Sequence, residues 1–183
     1  NIVGEANDDQ SGCSVSLSDD GATLAIGARH NDGTAISAGH VKVYQFSGGS
    51  WGQLGNDIDG ESSDDQFGHS VSLSGDGKTV AIGAWLYDGN AINTGRVKVY
   101  ELSPRNCLLG NCTQNWTQKG SSIDGNAYDV RLGASVSLSR NGNTLVVGAV
   151  GWSNFVSKGY TNIYDFNNSN WSQIGPTIYG EAT

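Results

Sequence analysis

The 183-residue chain has no methionine, two prolines and few basic side chains. It holds no apolar run long enough to cross a membrane, which excludes a spanning helix. No window shows the 3.6-residue apolar period of an amphipathic helix. Ten Lys and Arg stand against eighteen Asp and Glu, a formal charge of −8. Nucleic-acid phosphates require a basic face, so nucleic acid is excluded as a partner. An acidic chain stays soluble and collects cations weakly. Catalytic signatures are missing as well: there is no Gly-x-Ser-x-Gly elbow, no His-Glu-x-x-His and no phosphate-cradling loop. The first residue is Asn, so the sequence reads as a processed chain or a fragment and says nothing about a leader.

Glycine is abundant at 27 residues, with β-branched residues and regular turn signals. That composition points to an all-β fold, and the length suffices for one domain with a sizeable core. The stretch 67–84 is the repeating unit. Val71 and Leu73 alternate with Ser70, Ser72 and Ser74, the period-two mark of a strand. Asp76-Gly77 predicts a two-residue hairpin turn, and Thr79–Ile82 returns as a second strand. The unit recurs at 12–28 and at 133–149. A third strand follows each copy at Val41–Tyr44, Val97–Tyr100 and Thr161–Tyr164, and a fourth opens at Trp51, Trp116 and Trp171. The expected organisation is blade 1 at 2–57, blade 2 at 58–122 and blade 3 at 123–177. Residues 178–183 begin a further unit, because Ile178-Tyr-Gly-Glu-Ala182 matches Ile2-Val-Gly-Glu-Ala6.

Repeats with four strands each are the mark of propeller blades. The prediction is three tandem four-stranded antiparallel blades forming an open or partial β-propeller. A β-sandwich is the rival, but it does not account for the threefold repetition. Closed rings need about four blades or more. Three blades leave open ends, which predicts head-to-tail self-association into a ring or filament, or membership of a longer parent chain.

Blade 2 carries nine extra residues between its third and fourth strands, within the loop 101–115. There Cys107 and Cys112 form a C-x4-C pair. Half of a metal site is one reading, but no second Cys/His pair accompanies it. A local disulfide is the favoured one. Four N-glycosylation patterns start at Asn111, Asn115, Asn167 and Asn170. Together they predict an extracellular glycoprotein bearing N-linked glycans.

Phe67-Gly68, Val80–Ala84 and Gly95–Tyr100 together resemble FG-GAP repeats, the blades of the propeller in integrin alpha chains and related extracellular proteins. Ser11 and Leu132 replace the phenylalanine in the other two copies. The resemblance implies a propeller and an extracellular setting, and speaks to the fold more than to any activity. It also raises calcium, which the family's calcium-binding blades hold in an Asp-x-Asp-x-Asp-Gly loop. The turns here, Asp19–Gly21, Gly75–Gly77 and Asn141-Gly142, are too poor in oxygen ligands for a calcium cage.

Asp8, Asp64 and Asp129 recur four residues before the motif glycine. They read as cation or ligand contacts, or as acceptors for backbone N–H groups in turns between blades; recurrence favours the structural role. Asp9 and Asp65 read as solvated charge, and Asp32-Gly33 and Asp88-Gly89 as turn residues. His69 aligns with Cys13 and Ala134, which marks a tight strand entry and makes Cys13 a buried, inert thiol. Trp51, Trp116 and Trp171 read as packing between blades. Trp85 and Trp152 follow the Gly-Ala motif and are the candidates for ligand binding. The expected function is a non-enzymatic, extracellular structural or adhesive module. The alternative is a carbohydrate- or receptor-binding propeller, and a propeller-type hydrolase ranks last.

Overall fold

The computed structural model describes residues 1–108, 111–151 and 158–181, and among them the chain is all β, in three consecutive antiparallel sheets. No helix among the described residues is long and apolar enough to cross a membrane. The first sheet runs β1 (Ser11–Leu17), β2 (Thr23–Ala28), β3 (His40–Ser47), β4 (Ser50–Gln53), with β5 (Ile58–Asp59) beside β3. The second holds β6 (Phe67–Leu73), β7 (Thr79–Ala84) and β8 (Arg96–Leu102). A separate hairpin follows, β9 (Asn106–Leu108) and β10 (Asn111–Thr113), before β11 (Trp116–Gln118) and β12 (Ile123–Asp124) complete that sheet. The third holds β13 (Leu132–Leu138), β14 (Thr144–Ala149), β15 (Tyr160–Asn167), β16 (Asn170–Gln173) and β17 (Ile178–Tyr179).

Each blade therefore has the four expected strands and a fifth of two residues. The fifth is the segment that opens the following repeat in sequence, and it pairs back onto the third strand: Ile58 with Val41, Ile123 with Val97, Ile178 with Thr161. This stitches neighbours together. Just past β5, Glu61 accepts a bond from Lys98 of the second blade at 2.6 Å. Every residue of β7 is buried, as expected of a strand whose sheet is covered on both faces.

The hairpin turns are longer than the two residues predicted. Ser18 N–H pairs with the Thr23 carbonyl, enclosing four residues, and the Ser74–Thr79 and Ser139–Thr144 turns are the same. The reason is side-chain chemistry. Asp20 Oδ1 accepts from Ser18 Oγ (2.6 Å) and Ala22 N–H, while Ser18 Oγ accepts from Thr23 N–H. Asp76 and Asn141 repeat the arrangement with Ser74 and Ser139. A serine–carboxylate (or carboxamide) pair thus replaces the tight turn, and Gly21, Gly77 and Gly142 supply the left-handed residue (φ +69°, +67°, +67°).

Two cores lie between the sheets. One packs Ala25, Val41, Val43 and Ile58 against Phe67, Val71, Leu73, Val80 and Ile82; the other packs Ala81, Val97, Val99 and Ile123 against Leu132, Leu145 and Val147. The motif glycines set how closely the blades approach. Gly68 sits in a bulge with φ +88°, and its carbonyl accepts the Ser14 hydroxyl of blade 1 at 2.7 Å. That same carbonyl lies against Gly27, where any Cβ would be deep inside its van der Waals shell. Gly133, Ser70 and Gly83 repeat the joint between blades 2 and 3. Serine hydroxyls complete it by accepting backbone N–H groups: Leu73 N–H donates to Ser16 Oγ, and Leu138 N–H to Ser72 Oγ, both at 2.9 Å.

The fourth-strand tryptophans are joint residues as expected. Trp116 Nε1 donates to the Leu54 carbonyl and Trp171 Nε1 to the Lys119 carbonyl, both at 2.8 Å and both reaching the preceding blade. Lys119 is buried at the second joint. Its ammonium donates to the Gly142 carbonyl (2.9 Å) and Asn143 Oδ1 (2.8 Å) and lies over the Phe166 ring. Burial lowers its pKa.

Candidate functional site

The first strands β1, β6 and β13 stand next to one another, so their leading residues and those just after β2 and β7 gather in one place. Gln10, Gln66 and Arg131 hold equivalent left-handed positions (φ +55°, +53°, +52°). His69 stacks flat on Trp85, with ring centroids 4.1 Å apart and planes within 7°. The Arg131 guanidinium lies over the same indole at 5.0 Å, and Trp85 Nε1 donates to Gln66 Oε1 at 2.9 Å. Arg29 completes the row: Nη1 lies 3.3 Å from His69 Nδ1, and Nε donates to Gln10 Oε1. Burial, with Arg29 beside it, pushes the His69 pKa down to about 4, so the imidazole is neutral at pH 7. The sequence drew attention to Trp85 and His69 but not to Arg29, Arg131 or the glutamines. The available signal was divergence: the backbone repeats at these positions while the side chains do not.

The recurrent aspartates divide their roles differently from expectation. Asp8, Asp64 and Asp129 all take left-handed backbone (φ +68°, +63°, +53°), and Asp64 and Asp129 N–H groups bond to the carbonyls of Ile36 and Ile92 in the preceding repeat's long loop. Their service to the turn is conformational. Only Asp129 is buried, where it accepts from Arg131 Nε (2.8 Å) and Asn93 Nδ2 (3.2 Å). The reading of Asp9 and Asp65 as solvated charge is overturned: each is only 5% exposed. Each follows a left-handed aspartate, Asp8 or Asp64. Asp9 caps the Ala6 N–H and takes a 3.0 Å bond from Asn31 Nδ2. Burial, opposed by Arg96 and reinforced by Asp88 and Glu61, raises the Asp65 pKa to about 6. Asp32 and Asp88 behave as turn residues, accepting from Ser37 and Asn93 N–H. Cys13 is exposed, not buried: its counterpart His69 has Arg29 of blade 1 against it, and no blade precedes β1 among the described residues; its Sγ lies 3.5 Å from the carbonyls of Gly27 and Gly68.

Among the described residues, one group of three ligand-type side chains comes together: Glu5, His40 and Asp57. Lys42 already stands among them, bonded to Glu5 and 3.4 Å from Asp57. Its ammonium fills the cation position, and Lys98 with Glu61 repeats the pairing in blade 2. The arrangement is an ion pair at each of these blades. The remaining candidates lie apart. Cys107 stands opposite Cys112 in the β9–β10 register, but their side chains, and that of Asn111, lie outside the described part of the molecule. Trp152 lies outside it as well. Asn115 and Asn167 are exposed. Asn170 is exposed too, but its Oδ1 accepts from Ser121 N–H across the second joint at 2.8 Å.

Residues 58–100 match the FG-GAP repeat family. The second blade carries an FG-GAP repeat. Its Phe67 pairs with Ala84 and packs edge-on against Tyr100, and its Gly68 and Gly83 are the glycines that seat one blade on the next. The FG-GAP motif in this chain is therefore a joint between blades. No curated protein is similar enough in sequence to count as a relative. Among solved structures, Sqt1 from Chaetomium thermophilum superposes with a TM-score of 0.57 at 14% identity, over 96% of this chain and 37% of its own. A putative 6-phosphogluconolactonase from Bacteroides uniformis gives 0.40 at 12% identity, over 93% and 57%. The periplasmic gluconolactonase of Pseudomonas aeruginosa gives 0.43 at 13%, over 100% and 60%. The first likeness is one of fold alone, and the latter two carry no argument about activity. The chain spans less than two thirds of each of these structures.

Proposed function

We propose that the chain is a non-enzymatic, extracellular structural or adhesive β-propeller module that joins further blades head to tail through its two outer faces. The observation behind this reading is the difference between equivalent residues. Val71 and Leu73, covered by blade 1, are 9% and 7% exposed; Val15 and Leu17, their counterparts on the outer face of blade 1, are 62% and 55% exposed. Ser135 and Ser137 on blade 3 are exposed at the positions where Ser14, Ser16, Ser70 and Ser72 bond to a following blade. The two outer faces are complementary by the chain's own internal repetition, so the interface is heterologous and propagates or closes. The partner is a second copy of this chain, or more blades of a longer parent. N-linked glycans at the sequons and a Cys107–Cys112 bridge fit the extracellular assignment, and calcium has no role in the proposal.

Light scattering on the chromatographed protein tests the association. The expected mass is a multiple of the single chain, reduced to one chain by Leu17→Asp. A monomer across the micromolar range overturns it. The alternative reading, glycan or receptor recognition at Trp85 and Trp152, gains nothing from Trp85: with His69 stacked on it and Arg131 over the ring, no open indole platform is left for a sugar.

A further inference from the structure

The β9–β10 insertion makes blade 2 unlike its neighbours, and a cleft of about 570 Å³ opens between the feet of that hairpin and the outer edge of blade 1. Gln45, Gln53 and Asn56 line it from blade 1; Arg105, Gln114 and Asn115 line it from the insertion. The equivalent groove between blades 2 and 3 is bridged. There Lys119 crosses to Gly142 and Asn143, and Asn170 Oδ1 takes the Ser121 N–H. At the first joint Leu54 stands in the place of Lys119; its carbonyl takes Trp116 Nε1, as that of Lys119 takes Trp171 Nε1, but its side chain has no donor to send across. Among the described residues the two joints therefore differ at this place, whereas the stacking features of the fold recur.

Its chemistry is unusual for a chain this acidic. Eight side chains line it: five are carboxamides, Arg105 is a guanidinium, Thr113 adds a hydroxyl and Leu54 is apolar, and none is a carboxylate. Gln53 Nε2 is held by Asp57 and Gln114 Nε2 by the Ser103 carbonyl, which fixes these two amides and leaves their oxygens to accept. A carboxamide donates and accepts at once, which matches sugar hydroxyls and, above all, the acetamido group of an amino sugar. The volume lies in the range of small-ligand sites. Asn115 is also a glycosylation sequon, and its backbone is held by two bonds to Ser103, at 2.9 and 2.8 Å. A glycan attached at Asn115 starts on the rim of the cleft and is held there at millimolar effective concentration.

We propose that this cleft seats an N-acetylhexosamine, supplied either by the root of a glycan on Asn115 or by a free glycan. The site is separate from the blade faces and does not depend on association between copies. The test is a nuclear magnetic resonance titration of unglycosylated protein with N,N′-diacetylchitobiose, using maltose as the control. The expected result is saturable shifts of the Gln45, Gln53, Asn56, Gln114 and Asn115 side-chain amides, absent with maltose. The double variant Gln45→Leu/Asn56→Leu, at two exposed positions, weakens binding about tenfold or more. No shifts at tens of millimolar, shifts elsewhere, or equal response to maltose overturns the proposal, as does a well-folded double variant that binds normally. Repeating the titration on protein glycosylated at Asn115 separates the sources. Loss of response, with the Gln45, Gln53 and Asn56 side-chain amides of the glycosylated protein already shifted as chitobiose shifts them in the unglycosylated one, assigns the attached sugar. An unchanged response assigns a free one.

Discussion

Replacing Gly83 by alanine tests how the blades are held together. Gly83 lies against the Gly133 carbonyl of blade 3, and an added Cβ would fall deep inside that oxygen's van der Waals shell as well as that of Ser70 Oγ. The obstacle is backbone, so it cannot rotate away. The joint must open, at an overpacking cost of about 1–3 kcal/mol. The Ser70 hydroxyl bond to Gly133, now 2.7 Å, is lost with it, adding roughly 1 kcal/mol. The expected cost is about 2–4 kcal/mol, a fall in Tm of roughly 5–15 °C for a chain of this size. Gly148 is the internal control. It holds the same motif position in blade 3, but a Cβ there meets only Ser135: its rotatable hydroxyl, its Cβ at 3.6 Å and its carbonyl at 3.8 Å. Gly148→Ala should change monomer stability by no more than about 1 kcal/mol. Urea unfolding of both variants, at concentrations too low for association, reads the difference. Equal costs would refute the reasoning, because strand propensity alone would then explain both.

Two titrations, of buried Asp65 and half-buried His69, should oppose each other. Asp65, raised to about 6, stabilises the fold below its unfolded value near 3.8 and loses that contribution as pH rises through 6; His69, lowered to about 4, stabilises it above 6.5 and loses that contribution as pH falls through 4. Each is worth about 2 kcal/mol, so the wild type should be nearly flat from pH 6 to 4, while Asp65→Asn gains stability at pH 7 and then falls steadily on acidification. A variant profile parallel to wild type would contradict this. Lys119→Met leaves the Gly142 carbonyl and Asn143 Oδ1 without their ammonium partner and should cost about 1–3 kcal/mol in urea unfolding; an unchanged midpoint would show that the bonds contribute nothing. Cross-strand pairing puts Cys107 and Cys112 within the Cα range of a disulfide, so alkylation of the native protein should find one free thiol, Cys13; three alkylated thiols would remove the staple.

The blades were legible because strand alternation and repetition are both local signals. Val71 and Leu73 pointing one way, in three copies, leave few other folds. The turns were misjudged because Asp-Gly dipeptides suggest a two-residue turn, whereas Ser18 and its counterparts close a larger loop through their hydroxyls. Asp9 and Asp65 were misjudged because their burial depends on tertiary partners distant in sequence, such as Asn31 for Asp9, which no local pattern displays. The Arg29–His69–Trp85–Arg131 row joins three repeats through stacking, and no spacing rule encodes such a contact. The carboxamide cleft was partly legible: the insertion and the Asn115 sequon are in the sequence, but Gln45, Gln53 and Asn56 meet them only when blade 1 stacks on blade 2.

The central claim, head-to-tail joining through two different faces, is tested most directly by complementation. Leu17→Asp disables the outer face of blade 1 and leaves that of blade 3; Gly148→Ala does the reverse, because its Cβ blocks the carbonyl of an incoming blade. Sedimentation velocity on each variant alone should show monomers, and on an equimolar mixture a species of two chains and nothing larger. A mixture that stays monomeric while the wild type associates would contradict the account, since it would place the interface elsewhere.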